Sequence, residues 1–201
     1  TLSGSGTVGD ENVANGQGVT LGTLALVNGT GLASNYSLNS ASLNITKRVL
    51  NSSGSKTYDA NTDALAGAIT LSNLVSGEAL NHSGTATISS ANAGSYTITN
   101  LAGITIADGS GGAASNYTLT GGTHNFTVNT KVVSIQGNKI YDGNTTISSG
   151  DITSVSDTVG AETLVISGGS GTVSSANAAT YASASINAVS YTHLRAHETE
   201  A

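Results

Sequence analysis

Apolar residues in this chain recur at every second position rather than at the three-and-four spacing of a helix. Ser95-Tyr96-Thr97-Ile98-Thr99 and Gly103-Ile104-Thr105-Ile106-Ala107 alternate in this way. Strict alternation places one set of side chains on each face of a strand, so both stretches predict half-buried strands. Ser42-Leu43-Asn44-Ile45-Thr46 reads the same way. Gly18 to Val27 reads as one strand ending in a turn at Asn28-Gly29. Two runs are apolar without alternating, Ala68-Ile69-Thr70-Leu71 and Leu164-Val165-Ile166. The second, bounded by Gly168-Gly169, is expected to be the most apolar strand of its region. Between the runs stand turn signals such as Ser76-Gly77, Asp108-Gly109 and the loop Gly109-Ser110-Gly111-Gly112. Short strands separated by such turns predict an all-β fold, six or seven strands to a unit, arranged as a small Ig-like β-sandwich.

The pattern repeats. Lys56-Thr57-Tyr58-Asp59-Ala60-Asn61-Thr62 returns as Lys139-Ile140-Tyr141-Asp142-Gly143-Asn144-Thr145, a step of 83 residues. Val75, Glu78 and Leu80 return as Val159, Glu162 and Leu164 at a step of 84, and Ser90-Ala91-Asn92-Ala93 returns as Ser175-Ala176-Asn177-Ala178 at 85. Ser34-Asn35-Tyr36-Ser37-Leu38 matches Ser115-Asn116-Tyr117-Thr118-Leu119 at 81. The steps divide the chain into the C-terminal part of one repeat (1–50), a complete repeat (51–134) and the N-terminal part of a third (135–188). A β-solenoid is the competing architecture, but it predicts a coil period of roughly 20–30 residues, which the sequence does not show.

The heptad has a local physical reading. Alternation puts Lys56 and Tyr58 on one strand face, and Lys139 and Tyr141 likewise, so each ammonium can lie over a ring. Asp142-Gly143 is a turn dipeptide, which makes the motif a strand running into a turn. In the complete copy Ala60 stands at the glycine position. A positive φ there would cost alanine about 1 kcal/mol, so the alanine is read as a sign that the turn does not need one.

Composition agrees with a β protein built without staples. The 201 residues include 26 Gly but no Cys, Pro, Met or Trp, only 9% are charged, and the formal net charge is −6. Without cysteine no disulfide contributes, so each unit depends on its own core or its neighbours. Scarce, scattered cations argue against nucleic-acid partners, because phosphate binding needs clustered Lys and Arg. No run approaches the roughly 18 apolar residues of a membrane helix, so no membrane insertion is expected. Residues 189–201 resemble the in-frame translation of a sequencing adapter and are set aside as a non-native tail.

The Lys-x-Tyr-Asp heptad, the Gly-Glu-x-Leu element at Gly77 to Leu80, the Ser-x-Asn-Ala element and the Asn-Tyr-Thr-Leu element resemble, in that order, the YDG-type repeats of large filamentous-haemagglutinin-like bacterial adhesins. The resemblance covers residues 1–188. It implies an all-β repeat on a long extracellular stalk at the bacterial surface, spacing a binding tip from the outer membrane, with neighbouring repeats as partners and with no catalytic residue or cofactor. The alternative is that the repeats themselves hold a host glycan or matrix protein. In the stalk reading the repeat-motif residues Lys56, Tyr58, Asp59, Lys139, Tyr141, Asp142 and Gly143 have a structural role, whereas in the alternative Tyr58, Tyr141 and the junction lysines are the contacts.

Candidate chemistry is sparse. Asp59, Asn61 and Asp63 have the spacing that opens an EF-hand calcium loop, yet Ala64 stands where that loop needs glycine, and Thr146 replaces Asp63 in the second copy. An Asx-type turn is the preferred reading. His82 and His124 have no neighbours at metal-ligand spacing and are read as solvent-exposed strand residues. No Gly-x-Ser-x-Gly elbow or paired-carboxylate arrangement points to an enzyme. Lys47, Arg48, Lys56, Lys131 and Lys139 all fall where units join, and are read as guarding strand edges and binding nearby acids rather than as a docking stripe for anionic glycans.

Overall fold

A computed structural model describes residues 2–39, 41–181 and 185–187. The adapter-like tail, 189–201, lies outside the described residues. The chain divides into two compact units, Thr1–Asn129 and Thr130–Ala201. Among the described residues there is no α-helix, only strands and four single-turn 3₁₀ helices, and no helix is long and apolar enough to cross a membrane.

Unit 1 opens with β1 (Leu2–Ser3), β2 (Thr7–Val8), β3 (Ala14–Thr20), β4 (Ala25–Leu26), β5 (Ser42–Ile45) and β6 (Arg48–Val49). These make two small sheets, β1-β4 and β2-β3-β5, while β6 pairs further on. The single strand expected over 18–27 is broken. Gly22 adopts φ 55°, and the N–H of Thr23 bonds the carbonyl of Ser5. A Cβ on residue 22 would stand 2.7 Å from that same carbonyl oxygen, so a glycine-dependent turn overrides the apolar run.

The rest of unit 1 contains β7 (Asn51–Thr57), β8 (Asp63–Leu65), β9 (Ile69–Ser72), β10 (Leu80–Ile88), β11 (Gly94–Asn100), β12 (Ile104–Asp108), β13 (Tyr117–Thr118) and β14 (His124–Asn129). Seven of these form one mixed sheet in the order β12-β10-β11-β14-β7-β9, with β8 also paired to β10. The sheet nearly closes on itself. β8 and β9 are two halves of one interrupted strand, separated by the 3₁₀ turn Ala66–Ala68; β8 pairs with β10, next to β12 at one end of the path, and β9 pairs with β7 at the other. Several of these strands are those the alternation predicts, β10 is not among the predicted stretches, and together they join into one nearly closed, barrel-like sheet. The physical reason is a parallel pairing that alternation alone does not specify. β14 runs parallel to β7 over six residues, from His124 opposite Ser52 to Asn129 opposite Thr57.

The core lies inside this curl. Phe126, Val128 and Ile88 are its largest fully buried side chains, with Ala64, Ala86, Ile69, Ile98 and Ile104 around them. Phe126 and Val128 are both on β14, two residues apart and therefore on one face. Tyr58, Tyr96 and Leu119 pack against the cluster from its margin.

Unit 2 contains β15 (Ser134–Gly137), β16 (Thr146–Ser148), β17 (Ile152–Ser156), β18 (Ser170–Thr172) and β19 (Ser185–Asn187), paired as β15-β17 and β16-β18-β19. Parts of its geometry repeat unit 1 position for position. Gly137 opposes Ile152 as Gly54 opposes Ile69, both at a step of 83, and the 3₁₀ turn Ser149–Asp151 stands where Ala66–Ala68 stands. Asn73 and Asp157, 84 apart, share φ values of 67° and 65°. The run Leu164-Val165-Ile166, expected as a strand, is not one, and Val165 is 86% exposed. The equivalent residues of unit 1, Leu80 to His82, are held by β12, whereas no strand among the described residues pairs with 164–166.

Candidate functional site

The repeated heptad folds into a turn built around its lysine. Lys56 leaves the end of β7 and its Nζ donates to Asn61 Oδ1, Asn61 O and Asp63 O, each at 2.8 Å, while pairing with Asp59 Oδ1 at 2.8 Å. Four acceptors converge on an ammonium with three N–H groups, so the cation is fully surrounded and its side chain is only 13% exposed. The acceptors are themselves fixed. Asp59 Oδ1 accepts the N–H of Asn61 at 3.2 Å and Asn61 Oδ1 accepts the N–H of Asp63 at 2.9 Å, giving two successive Asx turns.

The second copy is the same object. Lys139 Nζ donates to Asn144 Oδ1 (2.6 Å), Asn144 O (3.2 Å) and Thr146 O (2.5 Å), and pairs with Asp142 Oδ1 at 2.8 Å. Asn144 N–H bonds Asp142 and Thr146 N–H bonds Asn144, as in the first copy. This explains why the Lys, Asp and Asn of the heptad recur. Lys, Asp and Asn supply side-chain atoms to the turn, whereas Asp63 and Thr146 supply only backbone atoms, so their side chains differ freely. The residue after the aspartate does need a left-handed backbone, since Ala60 has φ 63° and Gly143 φ 79°. The reading of Ala60 as a sign that positive φ is unnecessary is therefore corrected.

Two of the side-chain oxygens required by the calcium reading, Asp59 Oδ1 and Asn61 Oδ1, are thus turned onto the ammonium, while Asp63 gives it only its backbone carbonyl. Among the described residues no group of three His, Cys, Asp or Glu could hold a metal. Partial burial raises the pKa of Asp59, but the bonds from Lys56 and from the Asn61 N–H outweigh it and hold the carboxyl below its usual value. The bond from Lys139, followed by the Asn144 N–H, does the same for Asp142.

Residues 41–125 match the family model of the YDG domain. The chain carries a YDG domain. Comparison with curated proteins and with solved structures gave no match.

Within the YDG domain, two other recurring elements meet. Tyr117, 2% exposed, donates its hydroxyl hydrogen to Glu78 Oε2 and accepts the N–H of Val75 at 3.1 Å. Burial, followed by the bond to Glu78, raises the phenol's pKa above its usual value. Tyr117 also sits opposite Arg48 in the parallel β13-β6 pair, and Arg48 clamps Asn73 through Nε to its carbonyl (2.5 Å) and Nη2 to its Oδ1 (2.9 Å). Asn73 in turn donates to Val49 O. The Gly-Glu-x-Leu and Asn-Tyr-Thr-Leu elements are therefore joined by a part-buried phenol–carboxylate bond.

The YDG domain also contains two histidines whose positions correct the expectation of solvent exposure. His124 is 9% exposed. Its Nε2 donates to Leu119 O at 2.8 Å, so Nδ1 is left to accept from Ser52 Oγ at 2.9 Å. Ser52 is 4% exposed and lies directly opposite His124 in the parallel ladder. The pair has the distance of a nucleophile and base, but both members lie within the sheet and the third contact is a backbone carbonyl. His82, on β10, donates from Nε2 to Ala66 O (3.1 Å) and Ile69 O (2.9 Å), supplying a donor where β8 gives way to β9. Isolated histidines in strands carry no sequence signal for such roles, because the partners are backbone carbonyls.

Proposed function

We propose that this chain is a structural segment of a large exported bacterial adhesin, in which tandem YDG units space a binding tip away from the cell surface. The observation that carries this reading is the recurrence of one turn, bond for bond, at a fixed step along the chain. A unit copied down to its Lys, Asp and Asn atoms, in which those atoms are occupied by one another, is suited to holding shape rather than to turning over a substrate. Its neighbours in the same chain are its partners, its place is extracellular at the bacterial surface, and reach grows with copy number. The finer architecture in this proposal is a tandem series of small sandwich-like units, each with its own core of the kind formed by Phe126, Val128 and Ile88.

Proteins carrying one, two and four complete units, measured by small-angle scattering, test this. The maximum dimension should rise in proportion to unit number. A dimension that stops growing after two units would remove the spacer role. Saturable binding of a glycan or matrix protein, lost on Tyr58→Ala, would instead assign the repeats a binding function.

A further inference from the structure

Within unit 1, the Asn116 side chain of the complete repeat is bonded to the partial repeat that precedes it. Asn116 Oδ1 accepts the N–H of Val13 at 2.9 Å, and Asn116 Nδ2 donates to Asn12 Oδ1 at 2.7 Å. Both ends of one amide are used, so the contact fixes a direction as well as a distance. Asn12 is itself held in place, because its N–H and Nδ2 donate to Asp10 Oδ1 at 2.9 and 2.7 Å.

Both partners belong to recurring elements. Asn12 stands 80 residues before Asn92, and the same step carries β3 (Ala14–Thr20) onto β11 (Gly94–Asn100) and the pairing of Thr7 with Thr20 onto that of Thr87 with Asn100. Asn92 is the asparagine of the Ser-x-Asn-Ala element, which returns at Asn177. In all three copies the residue two positions earlier accepts the asparagine N–H: Asp10 Oδ1 at 2.9 Å, Ser90 Oγ at 3.2 Å and Ser175 Oγ at 3.2 Å. Asn116 opens the Asn-Tyr-Thr-Leu element, whose earlier copy begins at Asn35. Each of these asparagines ends a 3₁₀ turn, Ala33–Asn35 or Ala114–Asn116. The first N–H of each turn bonds a side-chain oxygen at 2.7 Å, Asn28 Oδ1 in one and Asp108 Oδ1 in the other. The next residue, Tyr117, is anchored by Glu78, so Asn116 stands on a fixed turn.

We propose that this amide clasp is the docking contact between successive YDG repeats. The Ser-x-Asn-Ala asparagine of one repeat, with the N–H that follows it, receives the asparagine of the Asn-Tyr-Thr-Leu element of the next. The Glu78 bond to Tyr117 is its footing, so three of the recurring elements act at the junction while the heptad shapes a turn inside the repeat. The partner of this surface is the neighbouring repeat of the same chain. The inference rests on the spacer reading and adds to it the contact that holds one repeat in a fixed orientation on the next.

The test is hydrogen exchange at the Val13 amide of the full chain, together with distances between spin labels on Thr30→Cys and Thr70→Cys. Both sites are exposed, and the chain has no cysteine of its own. Asn116→Ala should speed Val13 exchange by about tenfold and broaden the label distances, while the β14 amides stay protected. Asn12→Ala, which removes one bond of the two from the opposite side, should give a smaller change, and Asn92→Ala none at Val13. Should Asn116→Ala also unprotect β14, the Asn12→Ala result decides. The proposal is overturned if Val13 keeps its parent exchange rate in Asn116→Ala and Asn12→Ala, or if the label distances keep their width. Scattering dimensions that grow with repeat number beside an unchanged Val13 rate would remove the clasp alone. Dimensions that stop growing while Val13 responds would remove the spacer role alone.

Discussion

The ring of Phe126 lies directly against Gly54, its partner in the parallel β7-β14 ladder. A Cβ at residue 54 would come within 2.8 Å of Phe126 Cε2 and 2.2 Å of Ala68 O. Gly54→Ala is therefore expected to destabilise unit 1 by about 1–3 kcal/mol, the usual cost of overfilling a packed site. The loss should appear as a lower urea midpoint. Because the Ala68 carbonyl would still clash, adding Phe126→Ala should not restore stability; a full recovery would show that the ring alone excludes the side chain.

The backbone at position 60 gives a prediction of opposite sign. Ala60 holds φ 63°, which glycine adopts without the clash between Cβ and backbone. Ala60→Gly should raise stability by about 0.5–1 kcal/mol, less than the full relief because glycine is also freer when unfolded. Gly143→Ala should lower the stability of unit 2 by a similar amount. Paired thermal melts check both, and a change of the same sign in the two variants would refute the shared turn.

Lys56 organises the heptad turn through four acceptors. Lys56→Met keeps the length of the side chain but leaves Asn61 and two backbone carbonyls without their donor, which should cost about 1–3 kcal/mol. Asp59→Asn should cost less, about 1 kcal/mol or below, because its side chain is 44% exposed and water can replace the ion pair. Chemical denaturation of the three proteins orders them. If Asp59→Asn proves the more damaging change, the turn depends on the ion pair and not on the lysine's other bonds.

Acid should loosen both heptads. Asp59, Asp142 and Asp151 all have folded pKa values held below the usual 3.8, the last by the Ser148 N–H and hydroxyl. A depressed carboxylate binds fewer protons in the folded state than in the unfolded one. Its contribution is therefore complete above the ordinary carboxylate range and disappears as pH falls through the folded values. Melting temperature should hold steady from pH 7 to about 5 and then fall below about 4. In Lys56→Met the share of this fall due to Asp59 should shrink. An unchanged acid limb in that variant would separate Asp59's titration from the lysine.

The buried Ser52–His124 pair should show coupling. Ser52→Ala leaves His124 Nδ1 without a donor inside the sheet, at a cost of about 1–3 kcal/mol. Once His124→Leu has removed the imidazole, Ser52→Ala should cost less. A double-mutant cycle that is additive within about 0.5 kcal/mol would mean the two do not act together.

The heptad illustrates how much was legible along the chain. Lys56, Asp59 and Asn61 interact within six residues, so their recurrence at 139, 142 and 144 marked them as one local object, and the Asx turn followed from the residue types. The role of Lys56 as the turn's centre was less visible, since two of its acceptors are backbone carbonyls. His82 and His124 were misjudged for the same reason. Exposure of Leu164 to Ile166 was hidden too, because a strand requires an edge to pair with as well as an apolar run.

By itself the sequence determined the strand-forming alternation, the repeat step and the heptad turn, all of which arise from contacts between near neighbours or from identity between copies. Only the tertiary structure decided that β14 returns parallel to β7, that β8 and β9 nearly close the sheet, and that Glu78 meets Tyr117. Those outcomes join residues from 15 to 72 positions apart, where alternation says which face a side chain occupies but not which strand lies beside it.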